Sequence, residues 1–494
     1  MTIQGVSTAM PGERQPVRPI ELARFMLCMP FYIMLVLMVT EALLSAATTY
    51  LVIKAGRDFT KDELLVYDLL LILAVQSTAY IVGAISWIYA ERAGFLAYGR
   101  YMLRFARDNR NQTKSLGDKE TRERVEPFLT GETFYVYFHL LYEIEGDLRL
   151  LLGLIFNVIV LGTQIDGSLP VAYGTAFFVL FAMQWTMRKQ VSRAYLENQR
   201  MTNRMTAQGY TAWDNVFTGN RYNLRLWLAG FKSKLRDGLD AQIKAIMTKE
   251  GLSAASAIIG LAIVFGAMAW VASNSLDDTE VLVALVATLP RQIEMTNSMH
   301  QFTSGWNELL AVWTRLRGVS ANLHLEPDPQ FDARIKPDML ILREREKSNS
   351  VATVAEAIDL ILSNSTGRIN VRGANGSGKS TLLTTLKSQV KTRAYYWPTA
   401  DRLAFQFAQG MEPEDLDYGD DEEPKKPDKP PGFSSGERQI RALREIVAYT
   451  EAEMYLLDEW DANLDPNNRA AADALVEELA KRARVVEISH RDRV

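Results

Sequence analysis

Long apolar runs confined to residues 25–313, against a polar and charged remainder from 320 to 494, constrain this chain more than any other feature. In hydrocarbon a backbone must satisfy its own hydrogen bonds, so uncharged runs of this length point to membrane-spanning helices. Six spans are expected, at about Phe25 to Val52, Leu64 to Ala90, Leu148 to Leu161, Pro170 to Trp185, Ala254 to Val271 and Val281 to Leu316. The third is the shortest, and the amphipathic stretch Phe134 to Leu141 is placed to extend it. Residues 1–20 form a polar tail and not a secretory signal, because the apolar run that follows is too long and lacks a small-residue cleavage site.

Loop charges orient these spans. Glu91 to Asp147 carries Arg92, Arg100, Arg104, Arg107, Arg110, Lys114, Lys119, Arg122 and Arg124, and Arg188 to Lys249 is as basic. Thr163 to Ser168 and Ser273 to Glu280 contain no Lys or Arg, while Lys54, Arg57 and Lys61 are balanced by Asp58, Asp62 and Glu63. The positive-inside rule therefore puts both basic loops, the N-terminus and the C-terminal region in the cytoplasm. That location fits a bacterial inner (plasma) membrane. Met187 to Lys249 keeps a helical apolar repeat (Leu224, Trp227, Leu228, Phe231, Leu235), so the spans are expected to continue as helices beyond the bilayer.

The sixth span carries Pro290, expected to kink it, and then Arg291, Glu294, Ser298 and Gln301 at three- and four-residue spacing. Charge at membrane depth is costly and usually faces an interior or a water-filled cavity. Two readings stand: a translocation lining that Glu41 of the first span joins, or an Arg291–Glu294 pair buried between helices for structure alone.

Composition narrows the partners. A net charge of −4 with no basic patch argues against nucleic acid. The single cysteine, Cys28, rules out a disulfide framework and a Cys/His metal cluster.

The chemistry lies in the last third. Gly373-Ala374-Asn375-Gly376-Ser377-Gly378-Lys379-Ser380, followed by Thr381, fits G-x-x-x-x-G-K-[ST]. Its glycines let backbone N–H groups turn inward around a triphosphate, Lys379 supplies charge to the β- and γ-phosphates, and the Ser380 hydroxyl suits Mg²⁺. A strand at 368–371 and a helix from Ser380 to Lys391 would set the anion on a helix N-terminus. Met454 to Glu459 reads as a buried strand ending in two carboxylates, Asp458 to hold Mg²⁺ and Glu459 to orient or deprotonate the attacking water. A second strand, Val485 to Ser489, ends at His490, placed as a γ-phosphate contact. Phe433-Ser434-Ser435-Gly436-Glu437-Arg438-Gln439 opens a helix and makes a second anion site, which suggests that it serves a neighbouring chain's nucleotide.

In their order along the chain these motifs resemble an ATP-binding cassette (ABC) exporter half-transporter: a membrane α-helical domain of six transmembrane helices fused to an α/β P-loop nucleotide-binding domain. The matching residues are the Walker A loop 373–380, the signature 434–439, Walker B 454–459, the D-loop 462–465 and the switch His490. The resemblance implies a tail at 1–20, a membrane domain at 21–320, a linker at 321–349 and a nucleotide-binding domain at 350–494 with an acidic, Pro-rich insert at 411–432. It also implies a homodimer in which Ser434 and Gly436 of one chain, with Asp465 nearby, complete the ATP site of the other. Coupling helices are implied near Arg122 to Phe128 and Trp213 to Tyr222. The expected activity is ATP hydrolysis driving export of an unknown substrate, a peptide or amphipathic molecule. The alternatives are a membrane-tethered ATP switch without transport and one half of a heterodimer. The sequence departs from the family pattern at Ser435 and Phe433, in a short interval between Lys379 and Ser434, and in offering Gln406, Gln409 or Thr399 for the Q-loop position. No aromatic upstream of Gly373 is evident for the adenine.

Overall fold

The computed structural model describes residues 17–60, 65–110, 112–209, 211–325, 328–344, 347–399, 403–409, 434–462 and 464–489. The chain divides into two compact units: Met1–Met102 with Thr130–Ala321, and Leu103–Leu129 with Asn322–Val494. His490, Phe433, Asn463, the insert 411–432 and most of the tail lie outside the described residues.

The first unit is helical. After a short α1 (Pro19–Ala23) come α2 (Met29–Thr60) and α3 (Leu65–Asn109), whose last turns belong to the second unit with α4 (Thr113–Leu116) and α5 (Lys119–Pro127). The first unit resumes with α6 (Thr133–Gln164), α7 (Ser168–Gly209), α8 (Ala212–Phe217), α9 (Arg221–Asn274) and α10 (Thr279–Ala321). Among the described residues four helices are long and apolar enough to cross a membrane, within α2, α3, α7 and α9. The other two expected spans lie within α6 and α10 and are helical throughout, with Arg149 in the first and Arg291, Glu294, Glu308 and Arg315 in the second. The basic loops are not loose. The second is a helical hairpin of α7 and α9 with α8 at its turn, as the apolar repeat at Leu224 to Leu235 requires.

The second unit is built on a six-stranded mixed sheet of β1 (Leu340–Glu344), β2 (Lys347–Ser350), β3 (Gly367–Gly373), β4 (Ala394–Trp397), β5 (Met454–Asp458) and β6 (Arg484–Ile488), in the order β2-β1-β3-β6-β5-β4. The strands β3, β6, β5 and β4 run parallel, and β1 and β2 add an antiparallel edge. The stretch read as a polar linker is therefore partly sheet. Leu340 and Leu342 point into the core on alternate positions of β1, an alternation too short to stand out in sequence.

Both faces of the parallel strands are covered, which is why β5 reads as a nearly continuous apolar run and why every residue of β5 and β6 is buried. Met454, Leu456, Val486 and Ile488 face a core shared with α11 (Val354–Leu362) and α12 (Lys379–Val390). Tyr455, Leu457 and Val485 face the other, beneath α14 (Ser435–Tyr449) and α15 (Pro466–Arg482). A short α13 (Gln406–Gln409) packs on α14. Segment 113–118 is tied into this unit: Lys114 Nζ and Thr385 Oγ1 each donate to Asp332 at 2.8 Å.

Leu456 is fully buried, so Leu456→Ala is expected to lower the unfolding free energy by about 2–5 kcal/mol, whereas Ile341→Ala, on the open face of β1, changes it by about 0.5 kcal/mol or less. Denaturant unfolding followed by near-ultraviolet circular dichroism checks the contrast.

Candidate functional site

The parallel ladder carries the site at the C-terminal ends of its strands, where open α/β sheets place ligands. From β3 the chain passes directly into the glycine loop 373–378 and then α12. The three glycines have φ of +156°, +79° and +90° at 373, 376 and 378. A Cβ at Gly373 would lie 2.6 Å from the Met339 carbonyl oxygen, and one at Gly378 would lie 2.7 Å from Ile335 Cα. Gly376 has open space and needs only its dihedral. The Lys379 ammonium folds back over the loop, donating to the carbonyls of Gly373 at 2.9 Å and Ala374 at 3.3 Å. Ser377 is buried, and its hydroxyl has no partner among the described residues. Asn375 and Gly376 are exposed, and Thr381 lies half-buried in the first turn of α12.

Across the ladder, β5 ends at Asp458, only 4 % exposed. Ser380 Oγ donates to Asp458 Oδ1 at 3.2 Å, so the loop and the strand end meet through one hydroxyl and one carboxylate. Burial pushes the Asp458 carboxyl above the ordinary aspartate range, against the lowering effect of hydrogen bonds from Ser380 and Thr399. A further donor is Tyr396 on β4, whose hydroxyl bonds Asp458 and whose phenol is pushed up by burial first and by that carboxylate second. Thr399 therefore stands beside Asp458, while Gln406 belongs to α13, where its backbone N–H donates to Glu445. Tyr396 was given no role in the sequence, although it lies in the stretch that leads to Thr399.

Glu459 follows in a left-handed conformation, φ +52°, which costs a non-glycine residue on the order of 1 kcal/mol. Its N–H donates to the Ile488 carbonyl at 3.0 Å. The next residues are buried. Trp460 Nε1 donates to Glu487 Oε2 at 3.0 Å, and Asp461 Oδ2 accepts from Ser489 Oγ at 2.8 Å. Glu487 in turn holds Arg368 of β3 through two 2.7 Å bonds, and Arg368 reaches Asp473 of α15 at 2.8 Å. The sequence signal for this pair was one charge of each sign inside two neighbouring strands, Arg368 in β3 and Glu487 in β6. Asp465 caps α15, accepting from Asn468 N at 3.0 Å.

The expected second anion site is filled from within. Ser434 caps α14, and Glu437 returns its carboxylate to the Ser434 N–H at 2.9 Å and hydroxyl at 2.8 Å. These bonds, backbone first, hold the Glu437 carboxyl below its usual range. A capping box thus occupies the helix start, and Ser434 and Ser435 are exposed with Gly436 half-exposed. Of the two expected coupling segments, Arg122 to Phe128 lies within 103–129, where the anchoring contacts come from 114–118 instead. The other, at α8, shows Trp213 and Phe217 each 70 % exposed with ring centroids 4.5 Å apart.

In the helical unit the polar stripe separates. Arg291 bonds Glu294 at 2.6 Å, Ser45 of α2 and Asn157 of α6, the last at 3.4 Å. Glu41 pairs with Arg149, one turn and two turns away on α2 and α6 respectively. Ser298 is half-buried. Gln301 lines a cavity of about 670 Å³ with Arg149, Glu143, Asp147, Lys249 and Glu308. Arg291 thus joins helices while Glu294 pairs with it on the exposed side of the same helix, and Gln301 alone of the stripe faces the cavity.

Compared with models of known families and with curated proteins, the sequence matches none.

Two outcomes test this geometry. Gly376→Ala is expected to cost about 1 kcal/mol of stability for its dihedral alone, and Gly378→Ala more, because its methyl also meets backbone; thermal unfolding separates them. Asp458 has a raised native value, so its protonated form stabilises the fold at low pH and that contribution is lost as pH rises through the raised value. Asp458→Asn removes the loss, so the variant's stability gain over the unaltered chain should appear at neutral pH and shrink toward acid; a pH series of melting temperatures measures it.

Proposed function

We propose that this chain is an ATP-driven ABC exporter half-transporter, working as a dimer of identical chains in a membrane. The observation that carries the reading is the Ser380 hydroxyl bonded to Asp458 where a glycine loop and a buried strand end meet. An oxygen-only pair of this kind suits a hard divalent cation, so Ser380 and Asp458 would hold Mg²⁺. Mg²⁺ supplies charge neutralisation at the β- and γ-phosphates.

The chain's own groups account for the rest of the reaction. Loop N–H groups of 373–378 and Lys379 bind the phosphates, with Ser377 and Thr381 at the start of α12. Glu459 takes the proton of the attacking water, whose oxygen bonds the γ-phosphorus as the bond to the β-bridging oxygen breaks, releasing ADP and phosphate. His490 contacts the γ-phosphate, and Ser434, Gly436 and Asp465 serve the partner's nucleotide. Opening the Ser434–Glu437 capping box frees the helix start for that contact. The six-span arrangement adds α6 and α10 to the four strongly apolar helices, with Arg149 and Arg291 bonded across to α2. The cavity beside Gln301, with carboxylates and cations together, favours a peptide or amphipathic substrate over a pure lipid. The exposed aromatic pair on α8 suits docking to a second copy during coupling.

In lipid vesicles the chain is expected to hydrolyse ATP only with Mg²⁺, and Glu459→Gln to lower turnover by about a hundredfold or more while nucleotide still binds. Unchanged hydrolysis in that variant would remove Glu459 from its role. ATP-dependent movement of a peptide probe across the same vesicles separates a transporter from a tethered switch.

A further inference from the structure

The backbone at Glu459 is held from two sides. On one side its N–H is bonded to the Ile488 carbonyl at 3.0 Å. On the other, Trp460 is driven into the core beneath α14 and α15, packed with Leu464, Ala472 and Val476 and only 4 % exposed. The indole has one polar atom, and it is spent on Glu487, which is 2 % exposed and sits one residue before Ile488 on β6. Glu487 cannot swing away, because Arg368 grips both of its oxygens and is itself tied to Asp473. The Arg368 guanidinium also lies 5.7 Å from the Trp460 ring centroid. Glu459 and Lys391 are the only non-glycine residues with positive φ among the described residues. A strained conformation persists where its surroundings over-determine it, and these do so at the residue on which hydrolysis depends.

We propose that Trp460 and the Glu487–Arg368 pair are positioning residues for Glu459: the indole N–H to Glu487 clamps the residue after the base, holds the left-handed turn and so aims the Glu459 carboxylate. This rests on Glu459 being the base. The clamp acts on the water-activating group alone, because the phosphate loop and Asp458 are held by separate contacts.

Trp460→Phe keeps a buried ring and deletes only the N–H. In the full chain in lipid, kcat for Mg-ATP is expected to fall about ten- to a hundredfold with KM and the melting temperature near those of the unaltered chain. Adding Trp460→Phe to Glu459→Gln is expected to cause no further loss of the residual turnover, since both act through one carboxylate. Unchanged kcat in Trp460→Phe, or a loss that adds fully to that of Glu459→Gln, overturns the clamp while leaving the base assignment intact. A parallel drop in stability and nucleotide binding also overturns it, assigning the indole to packing alone. Hydrolysis that ignores Glu459→Gln overturns the base reading and the clamp with it.

Discussion

The parallel ladder that seats β6 between β3 and β5 positions nearly everything of consequence in the second unit. Register sets Asp458 opposite Ile488, so one strand end supplies a carboxylate and the next a carbonyl for the Glu459 N–H. The same ladder aligns Arg368 with Val485 and Asn370 with Glu487, which puts a buried cation and a buried anion on adjacent strands. Had β6 slipped by one residue, Glu487 would face the opposite core and both it and Arg368 would be buried without a partner.

Around that ladder polar groups are used sparingly. Asp458 is kept from water beside Ser380, Thr399 and Tyr396, and its burial disfavours the charged form. The helical unit shows the same economy at different places. Arg291 bonds Ser45 and Asn157 on two other helices, and Glu41 of α2 pairs with Arg149 of α6, so these charges cross-link helices.

Much of this was legible in order along the chain. Gly373 to Ser380, Asp458 and Glu459 announce themselves because backbone conformation and charge at those positions tolerate few residue types. The strands β3, β5 and β6 and helices α12 and α14 followed from their β-branched and apolar residues and from the motifs that flank them. What escaped was non-local: the strands β1 and β2 within a proline-bearing polar stretch, Tyr396 as a partner of Asp458, and the Trp460–Glu487–Arg368 chain, whose members are up to 119 residues apart. The capping box was visible as Ser434 and Glu437, but a helix start that attracts an anion looks the same whether the anion is a ligand or the chain's own carboxylate.

By itself the sequence determined the division into an apolar helical part and a polar α/β part, together with the glycines that let the loop at 373–378 turn. Those depend on local composition and on the few side chains that a given backbone conformation admits. Only the tertiary structure decided which side chains share a neighbourhood: that Thr399 and Tyr396 attend Asp458, that Gln301 faces a cavity while Arg291 joins three helices, and that Glu459 is held in a left-handed turn. Those depend on strand register and helix contact, which are set by how two cores fill and not by any one segment's pattern.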